Sequence, residues 1–328
     1  MPTANWVVIA IYLGFGMIEL IRSNLFRKAE QCRDDAIVET VSTVLLLTVT
    51  QPMVILVVNR MGLSLFPAWQ GALTDLRWYV ALPLFLVCED MMQYWWHRAS
   101  HSVGWLYNLH RAHHNARYMS VRLTYRNNII YYVLMPSLWL AAALIYLGLG
   151  WFYAGYLVVK MLVIIGAHSD VAWDAPLYRI GWLAPVMWVV ERTISTPATH
   201  HAHHGRHLSD PAVHYKGNFG NLLFLWDVLF GTARITRRFP QSYGVEDLGF
   251  TETQLGQQSG RCRPVLRRGV VESQVAHAEL RRGGAGHDCS SCPIRRPSAL
   301  RPIHRLFVLS TGLSARQRVS NRVSKHLY

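Results

Sequence analysis

The sequence predicts an all-α integral membrane protein with four to five transmembrane helices and its histidine-rich segments gathered on one side of the bilayer. Three observations carry that reading. Hydrophobic residues make up 51% of the 328 and charged residues only 16%, whereas soluble domains carry about 25% charged residues. Five apolar stretches each approach the ~20 residues that a helix needs to cross a bilayer. Twelve of the 16 histidines fall between 97 and 214, close to the ends of those stretches.

The stretches run roughly over 5–21, 41–59, 79–96, 129–149 and 151–167. The first has no basic residues ahead of it and no A-x-A cleavage site, so it is predicted to be a retained membrane segment and not a signal peptide. Pro52, Pro83 and Pro136 interrupt three of the stretches, which membrane helices tolerate. Arg22, Arg27, Lys28 and Arg33 follow the first stretch and nothing basic precedes it. The positive-inside rule puts that loop in the cytoplasm. The third stretch then ends on the cytoplasmic side at Trp95-Trp96-His97. The fourth and fifth, joined at Gly148-Leu149-Gly150, read as a hairpin that returns to that side at His168. Leu177–Val190, interrupted by Gly181 and Pro185, reads as a helix lying on the membrane surface.

Two regions differ in kind. Residues 1–255 form the membrane domain, and 256–328 are an Arg-rich tail predicted to be disordered. That tail holds 14 Lys and Arg against Glu272, Glu279 and Asp288, a balance of +11 out of the chain's +14. The remaining +3 gives no basis for nucleic-acid binding. The five cysteines are scattered and odd in number, so they make no disulfide framework. Cys289-x2-Cys292 in the tail is a lone pair, too little for a metal site.

The histidines are patterned. His97-x3-His101 is followed by His110-x2-His113-His114 and later by His200-x2-His203-His204, with His201 as an extra. Residues three and four apart share a helix face, so each box aims two or three imidazoles at one point. Neutral imidazole suits Fe, Zn, Cu and Ni. Eight such ligands on one side of a membrane suffice for two metal ions. His168 closes the fifth stretch on the same side and is a further candidate, whereas His207 and His214 read as loop residues. Metal-bound histidine usually donates its other N–H to a carboxylate or carbonyl. Asp90, two helical turns before His97, and Asp227 are candidates for that supporting role, with Asp170 and Glu191 on weaker grounds. Two rival readings are a membrane metal-binding or transport protein and a bis-histidine haem carrier. A transporter would place its ligands in mid-membrane, and a haem carrier would use isolated histidines on facing helices.

The ordered set resembles the fatty acid hydroxylase superfamily, which includes sterol desaturases, C-4 methyl sterol oxidases and sphingolipid hydroxylases. The resemblance rests on Asp90-x6-His97-Arg98-x2-His101, His110-x2-His113-His114, Thr196-Pro197 leading to His200-x2-His203-His204-Gly205, Asn218-Phe219-Gly220 and Trp226-Asp227-x-Leu229-Phe230-Gly231-Thr232. It covers roughly 75–250. It implies a helical membrane fold with a cytosolic di-metal cap holding two Fe ions, O2 as co-substrate and a lipid that is hydroxylated or desaturated. It also implies that the histidines of all three boxes bind metal, and that His168 matches a further histidine found between the second and third boxes. No G-x-G-x-x-G in a strand–helix context and no cysteine set for an iron–sulfur cluster is present. Electrons are therefore expected from an external donor, a ferredoxin or a cytochrome b5-type protein with its reductase.

Overall fold

A computed structural model describes residues 2–23 and 33–246. The loop containing Arg27 and Lys28 and the Arg-rich tail at 256–328 lie outside the described residues. Those described are helical, without a β-strand; two isolated bridges, Ile194 to Leu223 and Gly205 to Tyr243, are the extended pairings among them.

The apolar stretches become long helices. α1 spans Pro2–Ser23. α2 (Arg33–Leu45) continues through a π-helical turn, Leu46–Thr50, into α3 (Gln51–Leu65). Pro52 follows that π turn within the continuous run; it brings no N–H to the helical ladder, and the ladder adjusts at the turn before it. α4 (Trp78–Phe85) passes through a second π turn, Leu86–Met91, into α5 (Met92–Ser102). Pro83 lies inside α4, just ahead of that turn; proline there removes an i→i−4 bond and the ladder adjusts.

Among the described residues, three helical runs are long and apolar enough to cross a membrane, over 4–22, 34–65 and 136–168. The sequence predicted four to five. The third predicted stretch is helical, but Glu89 and Asp90 sit buried in its middle and dilute its apolar character. The fourth and fifth stretches fall in one run. α6 (Gly104–His114) and the short α7 (Ile129–Val133) lead to α8 (Pro136–Leu144), a π turn at Ile145–Leu149 and α9 (Gly150–His168). The run is bent back at Gly148, whose φ is +105°. Leu138 and Ala142 before the bend line the same cavity as Tyr153 and Leu157 after it, as a hairpin requires. The outward faces of α1, α2 and α3 are apolar and open, with Trp6, Leu13, Ile21, Ile37 and Leu56 all more than half exposed. That surface suits lipid contact.

Gly148 is where the hairpin is decided. A Cβ there would lie 2.4 Å from Thr74 Oγ1 and 3.0 Å from the Gly71 Cα. The 71–74 segment is pinned over the bend, since Gly71 N donates to Tyr146 O at 3.1 Å and Leu73 N to Leu147 O at 2.7 Å. Gly148→Ala is therefore expected to cost about 2 kcal/mol or more, from positive φ and from the collision. Thermal unfolding of the detergent-solubilised protein measures it; an unchanged midpoint would show that the bend tolerates a side chain.

The surface helix predicted at Leu177–Val190 is divided. Two 3-10 turns, Leu177–Arg179 and Gly181–Leu183, precede α10 (Ala184–Thr193). Gly181 and Pro185 set the division, and Trp182, Val186 and Val189 form an exposed apolar row. α11 (Pro197–His204) and α12 (Leu225–Leu229) complete the helices.

One buried carboxylate ties the first helix to the far side of the chain. Glu19, fully buried, accepts from Ser120 Oγ at 2.7 Å, Val121 N at 3.0 Å, Ser169 Oγ at 2.9 Å and Asp170 N at 2.9 Å. The end of α1 is thereby fastened beside His168.

Candidate metal centre

α5 carries His97 and His101, α6 carries His110, His113 and His114, α9 ends at His168, and α11 carries His200, His203 and His204. α11 is a helix because Thr196 and Thr199 form a capping box and Pro197 takes its first turn, a favourable start for eight residues rich in weak helix formers.

The nine histidines gather into two groups. His97, His101, His110, His114 and His203 form one, and His113, His168, His200 and His204 the other; within each, the ring nitrogens lie within 4.8 Å of one another. Each HxxHH box serves both. His110 and His114 go to the first group and His113 to the second, while His200 and His204 go to the second and His203 to the first. At 100° per residue, i+4 turns about 40° one way from i and i+3 about 60° the other. One helix can thus face two centres with three residues.

The ring nitrogens decide what these groups can hold. His97 Nδ1 donates to Phe219 O at 2.7 Å and His203 Nδ1 to Gly217 O at 2.8 Å. A neutral imidazole has one N–H, so both Nε2 atoms are bare lone pairs. They face each other at 3.0 Å. The second group repeats this. His113 Nδ1 donates to Leu123 O at 3.1 Å and His168 Nδ1 to Ile164 O at 2.8 Å, and their Nε2 atoms are 3.3 Å apart. Lone pairs aimed at each other repel unless a cation lies between them. Two nitrogens each about 2.1 Å from one metal ion, at right angles, would be about 3.0 Å apart. The donor set therefore fits a metal in each group.

Burial strengthens the fit. All nine rings except the partly covered His101 are buried. Burial pushes the His97 imidazole down to about 4 and holds His110, His113, His114, His200, His203 and His204 well below the usual histidine range. Those rings are neutral at pH 7, the form that binds metal. Phe219 packs against His97, His101 and His203 at centroid distances of 5.7, 5.3 and 5.6 Å, and Tyr131 stacks on His110 at 4.9 Å.

The supporting groups differ from those expected. Asp90 touches no histidine. It lies seven residues before His97, which is about 10 Å along a helix, and its Oδ2 accepts from Leu223 N at 3.2 Å and Trp226 Nε1 at 2.7 Å. Asp227 acts at one remove. It accepts from Phe219 N at 2.8 Å, Gly220 N at 2.6 Å and Thr232 Oγ1 at 2.6 Å, bracing the turn whose Phe219 carbonyl holds His97. Gly220 is required in that turn, since a Cβ would lie 2.5 Å from Leu223 O. Asn218, at φ +58°, spans Thr199 O and Arg234 O with its amide; asparagine tolerates that conformation better than most residues. Glu191 pairs with Arg237 at 2.7 and 2.8 Å and Asp170 gives its N–H to Glu19. The direct holders of the rings are four backbone carbonyls and Asn127, whose Oδ1 accepts from His110 Nδ1 at 2.8 Å. His201 stands apart, between Tyr243 OH and Ser169 O. His207 meets Glu246 at 3.4 Å and His214 meets Thr232 O, both in loops.

Residues 82–232 match the model of the fatty acid hydroxylase family. This segment of the chain is similar to a fatty acid hydroxylase domain. The match contains every histidine of both groups and both aspartates. The chain is also similar to curated proteins called alkylglycerol monooxygenase. The zebrafish (Danio rerio) protein is 27% identical over 176 residues, 50% of this chain and 31% of that protein. The human protein is 26% identical over 160 residues, 47% of this chain and 30% of that protein. The similarity to each thus spans about a third of the relative's length. No solved structure matches the chain.

A cavity opens onto the two histidine groups. Of about 100 Å³, it is lined by His97 and His110 of the first group and His113 and His168 of the second. Gln51, Tyr125, Leu157 and Met161 line both this cavity and a groove of about 410 Å³ running along α1. The groove wall is apolar, with Val8, Ile9, Leu13 and Leu47.

Proposed function

We propose that this chain is a membrane-bound, non-haem di-iron monooxygenase that oxidises a C–H bond of a lipid. One observation carries the reading: in each histidine group, two rings whose Nδ1 is committed to a carbonyl aim bare Nε2 lone pairs at one point. Zinc has no redox chemistry, and imidazole suits iron. An oxygenase needs a redox metal, so the nine histidines are read as ligands of two irons, five on one and four on the other. Bound there, the irons would supply O2 activation. Overall, O2, two electrons and two protons would convert a C–H bond to C–OH and one water; loss of a second hydrogen instead would give an alkene.

The chain's own part is to hold and to exclude. Phe219 and Tyr131 cover the rings, the carbonyls fix their tautomers, and the groove brings an apolar chain from the bilayer to the histidines. The relatives' name makes an alkylglycerol one substrate to test. Electrons would come from an external ferredoxin or a cytochrome b5-type protein with its reductase. The site is read as cytoplasmic: Arg22 follows the first span, and Glu19, three residues earlier, is bonded to Ser169 and Asp170 beside His168.

The test is metal content and turnover together. Purified full-length protein is expected to hold two irons per chain and no haem absorption, and to give an oxidised lipid only with O2 and a reductant. Tightly bound zinc, with no oxidised product after iron reconstitution, would overturn the assignment.

A further inference from the structure

The cavity below the histidines has a polar floor that no metal ligand accounts for. Lys160, Glu89 and Gln93 line it, and Lys160 and Glu89 are 6% and 5% exposed. Lys160 Nζ donates to Glu89 Oε1 and to Gln93 Oε1. Tyr156 OH donates to Glu89 Oε2 at 2.7 Å. Lys160 lies eight residues before His168 on α9, and Glu89 eight before His97, so each is about 12 Å of helix from its histidine. A lysine and a glutamate inside a membrane-embedded cavity are costly to place and mark function by default.

The arithmetic of donors and charge says what such a floor recognises. Both oxygens of Glu89 are occupied. An ammonium has three hydrogens, and Lys160 gives two of them to protein acceptors. The third, on an ammonium that also lies 6.0 Å from the centroid of the Tyr156 ring, and the amide N–H groups of Gln93 have no hydrogen-bond acceptor among the described residues. The floor therefore has donors without a hydrogen-bond partner, whereas each of its acceptor oxygens already takes a hydrogen bond. Its charge is not positive, because Glu89 balances Lys160 and the neighbouring Asp90 can only make the sum more negative. A free carboxylate or a phosphate gains nothing from such a site. A hydroxyl, ether or carbonyl oxygen finds the donor it needs, whereas a plain hydrocarbon leaves that donor buried and unpaired.

We propose that the Lys160–Glu89–Gln93 cluster is the specificity-determining contact for a neutral, oxygen-bearing group of the lipid. This rests on the lipid-oxygenase reading and narrows it. The cluster would bind an uncharged oxygen function about two helical turns from the histidines, and so fix which carbon lies beneath them.

The experiment reads binding, not turnover. Full-length, iron-loaded protein in nanodiscs is titrated with 1-hexadecanol, hexadecane and palmitate at matched mole fractions in the bilayer. Hexadecanol is expected to bind about tenfold tighter than hexadecane, the lower range for a hydrogen bond to a charged group, and palmitate no tighter than hexadecane. The double variant E89Q/K160M replaces the pair with neutral residues of similar volume, a change that buried ion pairs often tolerate. It is expected to bind hexadecane and iron as the parent does but to lose the alcohol preference, which a purely structural role would leave in place. Equal binding of alcohol and alkane, palmitate binding best, or a preference that survives in the variant would each overturn the proposal. The parent's own ranking decides even if the variant does not fold. A protein that prefers the alcohol but oxidises nothing refutes the oxygenase reading and leaves the recognition contact standing.

Discussion

Replacing His203 with alanine is expected to reduce lipid oxidation by at least about 100-fold and to lower iron from two per chain to about one, without dislodging the membrane helices. His203 is fully buried, its Nδ1 is fixed by Gly217 O, and its Nε2 lies 3.0 Å from that of His97. It is the one histidine that α11 supplies to the five-histidine group. Removal opens a coordination position and frees the group from α11. Losing even an outer partner of a metal ligand commonly costs 10–100-fold, so loss of the ligand costs at least that. The helices stand on their own backbone bonds and on packing in lipid, so insertion and extraction should match the parent. His207→Ala is the control, because the His207 ring meets Glu246 at 3.4 Å on the surface, away from both histidine groups, and should stay within about twofold. Iron content and product yield of the two variants, at matched expression, make the comparison. Parental yield from His203→Ala would remove the metal centre from the chemistry.

Asp227→Ala is expected to be the most damaging change outside the histidines. Its carboxylate takes three hydrogen bonds, from Phe219 N, Gly220 N and Thr232 Oγ1. Alanine strands those donors in a buried turn, at about 1–3 kcal/mol for each group left unsatisfied. A total loss of about 3 kcal/mol or more follows. The same turn presents the Phe219 carbonyl to His97, so the five-histidine group should release iron to a chelator about tenfold faster. Asp90→Ala, which removes bonds to Leu223 and Trp226 only, should disturb iron retention less. Chelator kinetics on the three proteins separate the two aspartates; equal retention in Asp227→Ala and parent would show that the turn does not position His97.

The histidine groups were legible because imidazole is rare and its spacing is periodic. His97 and His101, or His110 and His114, must share a face on any helix. What the spacing could not show was the division of each HxxHH between two centres, which depends on where α5, α6 and α11 meet. The groups that hold the rings were less legible still. Phe219, Gly217, Leu123 and Ile164 act through backbone carbonyls, and a carbonyl leaves no trace in the sequence. Asn127 had a side chain to offer but no period linking it to His110. Asp90 was expected beside His97 from its seven-residue spacing, but it bonds to Leu223 and Trp226 instead, since periodicity reports angle and not distance along the axis. The span count is not settled by length and composition: Glu89 and Asp90 lower the hydropathy of the third stretch, and the fourth and fifth fall in one run that bends back at Gly148. Those polar residues are also where the cavity floor lies.

Glu19 sets an order on the making of this protein. Its partners are 101 to 151 residues further along the chain, so the ribosome delivers the carboxylate long before anything can receive it. At synthesis rates of about 5–20 residues per second, the wait for Asp170 is about 8–30 seconds. During that time α1 can settle in the bilayer alone, with the acid at its end still in contact with water. The full set of four bonds closes only after α9 has arrived and brought His168 with it. Membrane insertion thus comes early and assembly of the histidine chamber late, and that chamber cannot close until the chain is more than half made.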